Sequence, residues 1–331
     1  MRESDVALSP SVARHFSAAD VASALTWNDL VMSQRDVFRA FALGEAQLAT
    51  RALLGYGENT AFSYLARASR DGWPVVKIGS VNPGNPGRGL PSVHALVLVM
   101  DKVTGEVVAT MDGEAITSRR TPAASIAALE GLAFGGAGTA LPRRVAIVGA
   151  GRQGLAHADL MLARYPDVRV TVVVRPGSSL DRHGVEGAPI DDRLQVTDDL
   201  RQGVEGADTV ILCTTSFEPV MRGAWLDSGT TLISVGSFAP DRHEFGADII
   251  ERAGSVYVDD VATASMQCGP VAGGISSGSL ARDDVHAIGD VLAGRVDRPA
   301  TAPDLTVYAS VGLGIQDAAV VDLIMGGGSR G

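Results

Sequence analysis

The sequence has few cysteines, no concentrated positive charge and no long apolar run. Cys213 and Cys268 are the two cysteines among 331 residues, so neither a disulfide framework nor a zinc site is expected, and we predict no metal. The formal net charge is −10 at pH 7, and no run of Lys or Arg stands out. This charge pattern argues against nucleic acid as a partner.

Signals for membrane insertion or export are also absent. The first residues, MRESDVALSP, lack the apolar core of a signal peptide. The longest aliphatic stretches, such as 95–100, are far shorter than the roughly 20 residues that span a bilayer. We therefore expect a cytoplasmic protein without membrane contact, and the length of the chain favours two lobes.

The first third of the chain mixes helical and strand patterns. Helical periodicity is predicted at 18–50 and 59–70, followed by short apolar strands at 75–79, 95–101 and 106–112. An alanine-rich helix is expected at 121–134, and the glycines at 135–138 mark a break.

After this break, strands alternate with helical segments. Strands are predicted at 144–148, 168–174, 209–213, 231–235 and 255–258, with helices at 154–164 and 198–203. This alternation predicts an α/β fold with a doubly wound parallel sheet that ends near residue 300. The tail, 306–325, is expected to form a strand followed by an apolar helix.

A glycine-rich turn joins the first of these strands to its helix. The segment Gly149-Ala-Gly151-Arg-Gln153-Gly154 matches the pattern G-x-G-x-x-G between a buried-type strand and a helix. Gly149 would make the tight turn, Gly151 would let the backbone approach a pyrophosphate, and Gly154 would let helix and strand pack closely. The helix N-terminus offers free N–H groups to phosphates. We predict a Rossmann dinucleotide-binding domain.

The residue after the second strand bears on which nicotinamide cofactor binds. An NAD site usually places Asp or Glu there, and this chain has Arg175 instead. Arg175, with Ser178 and Ser179, is suited to a ribose 2′-phosphate, because a guanidinium pairs with phosphate oxygens. We therefore predict that NADPH is preferred, with NADH possible.

Nearly the whole chain resembles the ornithine cyclodeaminase/mu-crystallin family. Four stretches carry the resemblance, and they lie at residues 76–85 (VKIGSVNPGN), 112–124 (DGEAITSRRTPAA), 235–244 (VGSFAPDRHE) and 306–317 (TVYASVGLGIQD). The resemblance implies a second, α+β domain for substrate binding and dimerisation, built from residues 1–125 with 306–331. The Rossmann domain would span 126–305, the active site would lie between the lobes, and the protein would be a homodimer.

The family holds the α-carboxylate of its substrate with two arginines and a lysine. By motif, Lys77 and Arg120 match two of these residues, and Arg51 stands where the other arginine is expected. Guanidinium groups suit a carboxylate because they bind it in bidentate geometry. A lysine in a partly apolar cleft can also protonate or polarise a C=N or C=O group.

The resemblance also implies contacts with the cofactor. Thr121 would touch the pyrophosphate, while Ser310 and Gly312 would line the nicotinamide side. The residues that follow two sheet strands complete this set, and they are Thr214, Thr215, Ser216, Val235, Gly236 and Ser237.

One position departs from the cyclodeaminases. Their stretch after Val235-Gly236 carries a catalytic aspartate, and Phe238 stands there in this chain. Phenylalanine cannot accept a proton, so ornithine cyclodeamination is not expected. Glu244 is expected to cap or brace a helix.

The resemblance thus favours an NADPH-dependent oxidoreductase acting on the C–N bond of a small α-imino or α-amino acid. Three alternatives stay open: a cyclodeaminase with retained NAD, a crystallin-like binding protein without turnover, and an enzyme that oxidises an N-linked conjugate during synthesis of a non-standard amino acid.

Overall fold

The computed structural model describes residues 13–133, 141–177, 191–296 and 304–327. Within them, the strands are Arg14–Phe16 (β1), Gln47–Leu48 (β2), Ala52–Tyr56 (β3), Asn59–Arg67 (β4), Val75–Val81 (β5), Val93–Met100 (β6), Val107–Asp112 (β7), Arg144–Val148 (β8), Arg169–Val173 (β9), Leu194–Thr197 (β10), Thr209–Leu212 (β11), Thr230–Ser234 (β12), Val256–Val258 (β13), Val285–Ala287 (β14) and Leu305–Ala309 (β15). The helices are Ala18–Ser23 (α1), Trp27–Ala42 (α2), Gly113–Leu132 (α3), Arg152–Arg164 (α4), Leu200–Val204 (α5), Ala247–Ala253 (α6), Val261–Gln267 (α7), Gly269–Ser277 (α8), Ile288–Leu292 (α9) and Gly314–Gly327 (α10).

The first sheet has the order β1-β7-β6-β5-β4-β2, and β3 also pairs with β4. Its strands are antiparallel, apart from the parallel pair of β1 and β7. The prediction of a helix at 59–70 is wrong, because residues 59–67 form β4. A two-residue loop turns β3 into β4, and Gly57 takes the positive φ of 60° that such a hairpin needs.

Two other predicted helices have different bounds in the structure. The helix expected at 18–50 is two helices, α1 and α2, and the second ends before Gly44, which has a φ of 73°. The helix expected from residue 121 begins at Gly113, because the Asp112 carboxylate accepts hydrogen bonds from the first free backbone N–H groups. The predicted break at 135–138 lies outside the described residues.

The second sheet is parallel throughout, in the order β10-β9-β8-β11-β12-β15-β13-β14. Its central strands are buried on both faces, as their Val- and Ile-rich sequences require. The α/β prediction is therefore confirmed. The expected end of this sheet near residue 300 is wrong, because β15 pairs between β12 and β13.

Two helices join the lobes. The buried helix α3 leaves the first sheet at β7 and contacts both α4 and β15 of the second lobe. After β15, α10 returns to pack on α2, α3 and β4. We propose the predicted division into two domains with its second boundary moved to residue 309. Among the described helices, none combines the length and apolarity needed to cross a membrane.

Candidate active site

A crevice opens where the order of the parallel sheet reverses. Strands β9 and β11 flank β8, so successive strands are added on opposite sides of this point. Ligands of such sheets bind beyond the carboxyl ends of strands at this reversal. A cavity of about 570 Å³ lies here, and both lobes line it, with Lys77 and Arg120 from one side and Val235 and Phe238 from the other.

Lys77 lies on β5 and lines the cavity from the first lobe. Its side chain is 3% exposed, and its Nζ donates to Asp317 Oδ1 at 2.6 Å and to Thr117 Oγ1 at 2.5 Å. Burial lowers the pKa of Lys77, and the Asp317 carboxylate opposes that effect. Burial by itself would raise the pKa of Asp317. The positive charges of Lys77 and Arg120 outweigh this effect, so the pKa of Asp317 lies below its usual value.

Arg120 lies in the middle of α3 and is nearly buried. One terminal nitrogen donates to Gln316 Oε1 at 3.0 Å, and its Nε lies 4.0 Å from Asp317 Oδ2. Among the described residues, Nε has no hydrogen-bond partner. The Nε side of Arg120 therefore faces the enclosed Asp317 carboxylate, whereas its terminal nitrogens lie beside Gly312 at the cavity wall.

Arg51 approaches the same cavity from the segment before β3. Its guanidinium donates to the Gly312 carbonyl at 3.0 Å and lies over the Tyr64 ring, 5.5 Å from the centroid. Burial is the main cause that lowers its pKa. The three predicted cations, Arg51, Lys77 and Arg120, are therefore brought together on one cavity. Within the described residues, their ion pairs run to a single carboxylate, that of Asp317.

A buried carboxylate shapes the loop that follows β15. Asp259 accepts hydrogen bonds from the hydroxyls of Tyr308 and Ser310 and from the backbone N–H groups of Val311 and Gly312. Its burial raises its pKa. This arrangement fixes the predicted residues Ser310 and Gly312 at the wall of the cavity, next to Arg51 and Arg120.

A second buried carboxylate ties two strand ends together. Glu244 accepts from the Thr214 N–H and hydroxyl after β11, and from the Ser234 hydroxyl and Gly236 N–H at β12. Burial raises its pKa. The expectation that Glu244 caps or braces a helix is therefore wrong. Its carboxylate holds together the two segments predicted to contact the cofactor.

The glycine-rich turn has the geometry that a pyrophosphate requires. Gly149 has a φ of 107° and packs on the Cys213 carbonyl, while Gly154 packs on the Gly149 carbonyl. Gly151 faces open space as the N-cap residue just before α4, where no side chain caps the free N–H groups. Gln153 in the first turn of α4 lines the cavity, and its Nε2 donates to the Thr117 carbonyl at 3.4 Å. The residues present fit a dinucleotide.

The remaining predicted cofactor residues divide into two groups. Thr121 and Val235 line the cavity, whereas the cavity lining does not include Thr215, Ser216, Gly236 or Ser237. Ser237 is buried, and its hydroxyl oxygen accepts from Ser234 and from the Glu244 N–H, so it serves the strand-end brace.

Arg175 lies beyond β9, away from the cavity. Its side chain is exposed, and the residues between β9 and Gly177 include no acid. Ser178 and Ser179, predicted to assist it, lie outside the described residues.

Aromatic rings form the outer wall of the cavity. Phe238 and Phe217 both line it, and the Arg242 guanidinium lies 5.1 Å and 5.0 Å from their ring centroids. The position where cyclodeaminases carry an aspartate is therefore apolar here. A cation–π contact of this kind restrains Arg242 rather than supplying a base.

Sequence reasoning missed four residues that organise the cations: Tyr64, Thr117, Gln316 and Asp317. The last two belong to the tail motif 306–317, which could have pointed to them, but Tyr64 has no local signal. Among the described residues, no cluster of His, Cys, Asp and Glu suits a metal ion.

Another cavity, of about 620 Å³, lies on β8–β10 beside α5. Arg144, Arg169 and Gln202 line it, but none of the predicted site residues does. The cleft between the lobes, where the cations and the strand ends meet, is therefore the candidate site.

Comparison with known proteins gives a consistent result. The sequence profile of the ornithine cyclodeaminase/mu-crystallin family matches residues 13–327. A Δ1-pyrroline-2-carboxylate/Δ1-piperideine-2-carboxylate reductase of Azospirillum brasilense is 31% identical over 308 residues, which cover 92% of each chain. An alanine dehydrogenase of Archaeoglobus fulgidus is 27% identical over 313 residues, again 92% of each chain.

A solved structure extends the similarity to the fold. An archaeal alanine dehydrogenase dimer with bound NAD is 26% identical and superposes with a TM-score of 0.83, covering 96% of both chains. The similarity therefore includes both lobes and the crevice between them.

Proposed function

Because the chain belongs to the ornithine cyclodeaminase/mu-crystallin family, we propose that it is a nicotinamide-dependent reductase of small cyclic α-imino acids, or a dehydrogenase of the matching α-amino acids. The reaction is oxidoreduction at a carbon–nitrogen bond, the chemistry named for its reductase and dehydrogenase relatives. The observation that supports it best is the convergence of Arg51, Lys77 and Arg120 on one cavity beside the dinucleotide turn.

These three cations form the carboxylate clamp. Asp317 is paired with two of them and Arg51 has no ion pair among the described residues, so positive charge remains for a substrate carboxylate. Arg120, whose terminal nitrogens lie beside Gly312, and Arg51 both supply planar groups for binding a carboxylate. Holding the carboxylate in this way orients the adjacent C=N bond in the crevice.

Lys77 also suits the proton that the reaction needs. An imine accepts hydride readily only when its nitrogen is protonated, and a buried ammonium in the same cavity can donate or stabilise that proton. The bound nicotinamide supplies or accepts the hydride. The apolar wall around Phe238 packs against the ring of the substrate and limits water in the cavity.

The cofactor would lie along the carboxyl ends of β8, β11 and β12. The N–H groups that begin α4 suit its pyrophosphate, and Gln153 and Thr121 suit the part that enters the cavity. We propose NADPH as the preferred cofactor, because Arg175 is exposed where the ribose 2′ position would lie and the described residues from Val174 to Gly177 include no acid. We further propose a homodimer, as in the archaeal dehydrogenase dimer.

The test is a spectrophotometric assay with the purified protein. NADPH and, separately, NADH are mixed with a panel of cyclic and acyclic imino acids, and absorbance of the reduced nicotinamide is followed. Oxidation with at least one cyclic imino acid, faster with NADPH, is the expected result. Ammonia release from diamino acids without cofactor turnover would favour a cyclodeaminase. Cofactor binding without either reaction would favour a binding protein.

A further inference from the structure

One helical turn anchors two of the clamp cations. Gln316 and Asp317 are consecutive residues in the first turn of α10. Gln316 accepts from Arg120, and Asp317 accepts from Lys77, residues that lie 196 and 240 positions earlier in the chain. The proposed reaction uses both cations and leaves the role of Asp317 open.

The Asp317 carboxylate is completely enclosed by the first lobe and its helices. Its Oδ1 accepts from Lys77 on β5, and its Oδ2 accepts from the Tyr64 hydroxyl on β4 at 2.9 Å. Arg120 on α3 lies 4.0 Å from Oδ2. Asp317 does not line the cavity itself, so it reaches the substrate site only through the groups that it holds.

Three charged groups act on Lys77, while the neighbouring strand β6 places the apolar Val97 opposite it. Arg120 on α3 and Arg51 before β3 repel its ammonium, while Tyr64 and Thr117 are neutral. Asp317 is the one attractive charge among these described groups. Burial and two neighbouring cations thus favour a neutral amine, and Asp317 alone favours the ammonium.

We propose that Asp317 is a positioning residue that keeps the Lys77 ammonium charged and directed at the substrate carboxylate. This inference rests on the proposed carboxylate clamp. A neutral Lys77 amine would lose both its attraction for the carboxylate and its ability to protonate an imine. The counter-ion therefore sets the pH range over which the clamp holds its ligand.

The probe is furan-2-carboxylate, a planar carboxylate without a basic nitrogen, titrated against the NADPH complex of the full chain from pH 6 to pH 10. Its own charge is constant in this range, so the pH dependence of its Kd reports the protein. A buried lysine without a counter-ion titrates near pH 5–6. With Asp317 in place, the wild-type Kd is expected to stay constant to well above pH 7. If the wild-type protein loses its affinity for furan-2-carboxylate with a midpoint below pH 7, the proposal is overturned, and no variant is needed to show it.

Asp317→Asn then removes the charge while keeping the size of the side chain. The loss of affinity is expected to move about one to three pH units lower, the usual effect of removing an opposite charge at this range. The matched control is Asp322→Asn on the same helix, whose carboxylate accepts from the Trp73 N–H outside the site. This control should leave the pH dependence unchanged.

The outcomes separate this inference from the function on which it rests. If Asp317→Asn weakens binding but loses affinity over the same pH range as the wild type, Asp317 serves structure alone and the inference is wrong. If furan-2-carboxylate fails to bind the wild-type complex although NADPH binds, the clamp itself is wrong and both proposals are overturned.

Discussion

Two glycine-to-alanine substitutions in the same turn are expected to affect different properties, one the stability of the fold and the other the affinity for the cofactor. A Cβ at Gly154 would lie 1.8 Å from the Gly149 carbonyl oxygen, so the backbone must move. A Cβ at Gly151 meets nothing within 4 Å, and its φ of −75° suits alanine. The two variants therefore separate stability from cofactor binding.

For Gly154→Ala, overpacking of this kind costs about 1–3 kcal/mol. Each kcal/mol lowers Tm by about 2–4 °C in domains of 150–250 residues, so a fall of roughly 2–12 °C is expected. For Gly151→Ala, the compatible φ favours alanine by about 0.4–1 kcal/mol, but glycine is preferred over alanine at an N-cap, so little net change in stability is expected. The new methyl group, however, occupies the space through which a pyrophosphate would approach α4.

The assay pairs calorimetry without cofactor with a fluorescence titration of NADPH. Gly151→Ala should keep its Tm and raise the Kd for NADPH at least about tenfold, equivalent to 1.4 kcal/mol. An unchanged Kd in a folded Gly151→Ala protein would refute a pyrophosphate at the start of α4. An unchanged Tm in Gly154→Ala would refute the close backbone contact.

Three further substitutions test separate parts of the site. Lys77→Ala should abolish turnover and leave NADPH affinity nearly intact, so normal turnover in a steady-state assay would contradict the clamp. Arg175→Ser should raise KM for NADPH about tenfold, the loss of one charged hydrogen bond, and leave KM for NADH unchanged; equal effects on both would contradict 2′-phosphate binding. Glu244→Gln leaves buried donors unpaired at a cost of about 1–3 kcal/mol and should lower both Tm and NADPH affinity, whereas wild-type values of both would show that the brace is dispensable.

The parallel sheet could be predicted closely because its signals are local. The strand at 144–148 has the bounds expected from its apolar run, and the glycines that follow have steric roles that the sequence alone suggests. Strands buried on both faces read as continuous runs of Val and Ile, which few other elements produce.

The first lobe was harder to predict because its sheet presents a partly exposed face. In β4 the apolar residues Ala61, Phe62, Leu65 and Ala66 recur at helical spacing, yet Leu65 is 49% exposed and Ala66 is buried. The hairpin at Gly57 and pairing with β5 decide the strand, and neither interaction is visible in a local pattern.

The residues of the candidate site were also predicted only where a local sequence motif marks them. Lys77 and Arg120 lie in recognisable motifs, but what holds Lys77 in place is 240 residues away, and Tyr64 is 253 residues from the same carboxylate. Only the folded arrangement of the four elements, β4, β5, α3 and α10, brings these groups together. A local reading of sequence therefore finds the ligand-binding groups and misses the groups that orient them.

The insertion of β15 between β12 and β13 has a consequence for biosynthesis. On the ribosome, residues 305–327 are made after every other described element, although β15 occupies an inner position of the second sheet and α10 supplies the counter-ion of Lys77. Until they emerge, β12 and β13 each lack a neighbour and expose open edges, the kind of surface on which chains aggregate. The second sheet is therefore completed only when the tail has been made. A chain that ends before residue 305 has neither the complete sheet nor the carboxylate that pairs with Lys77.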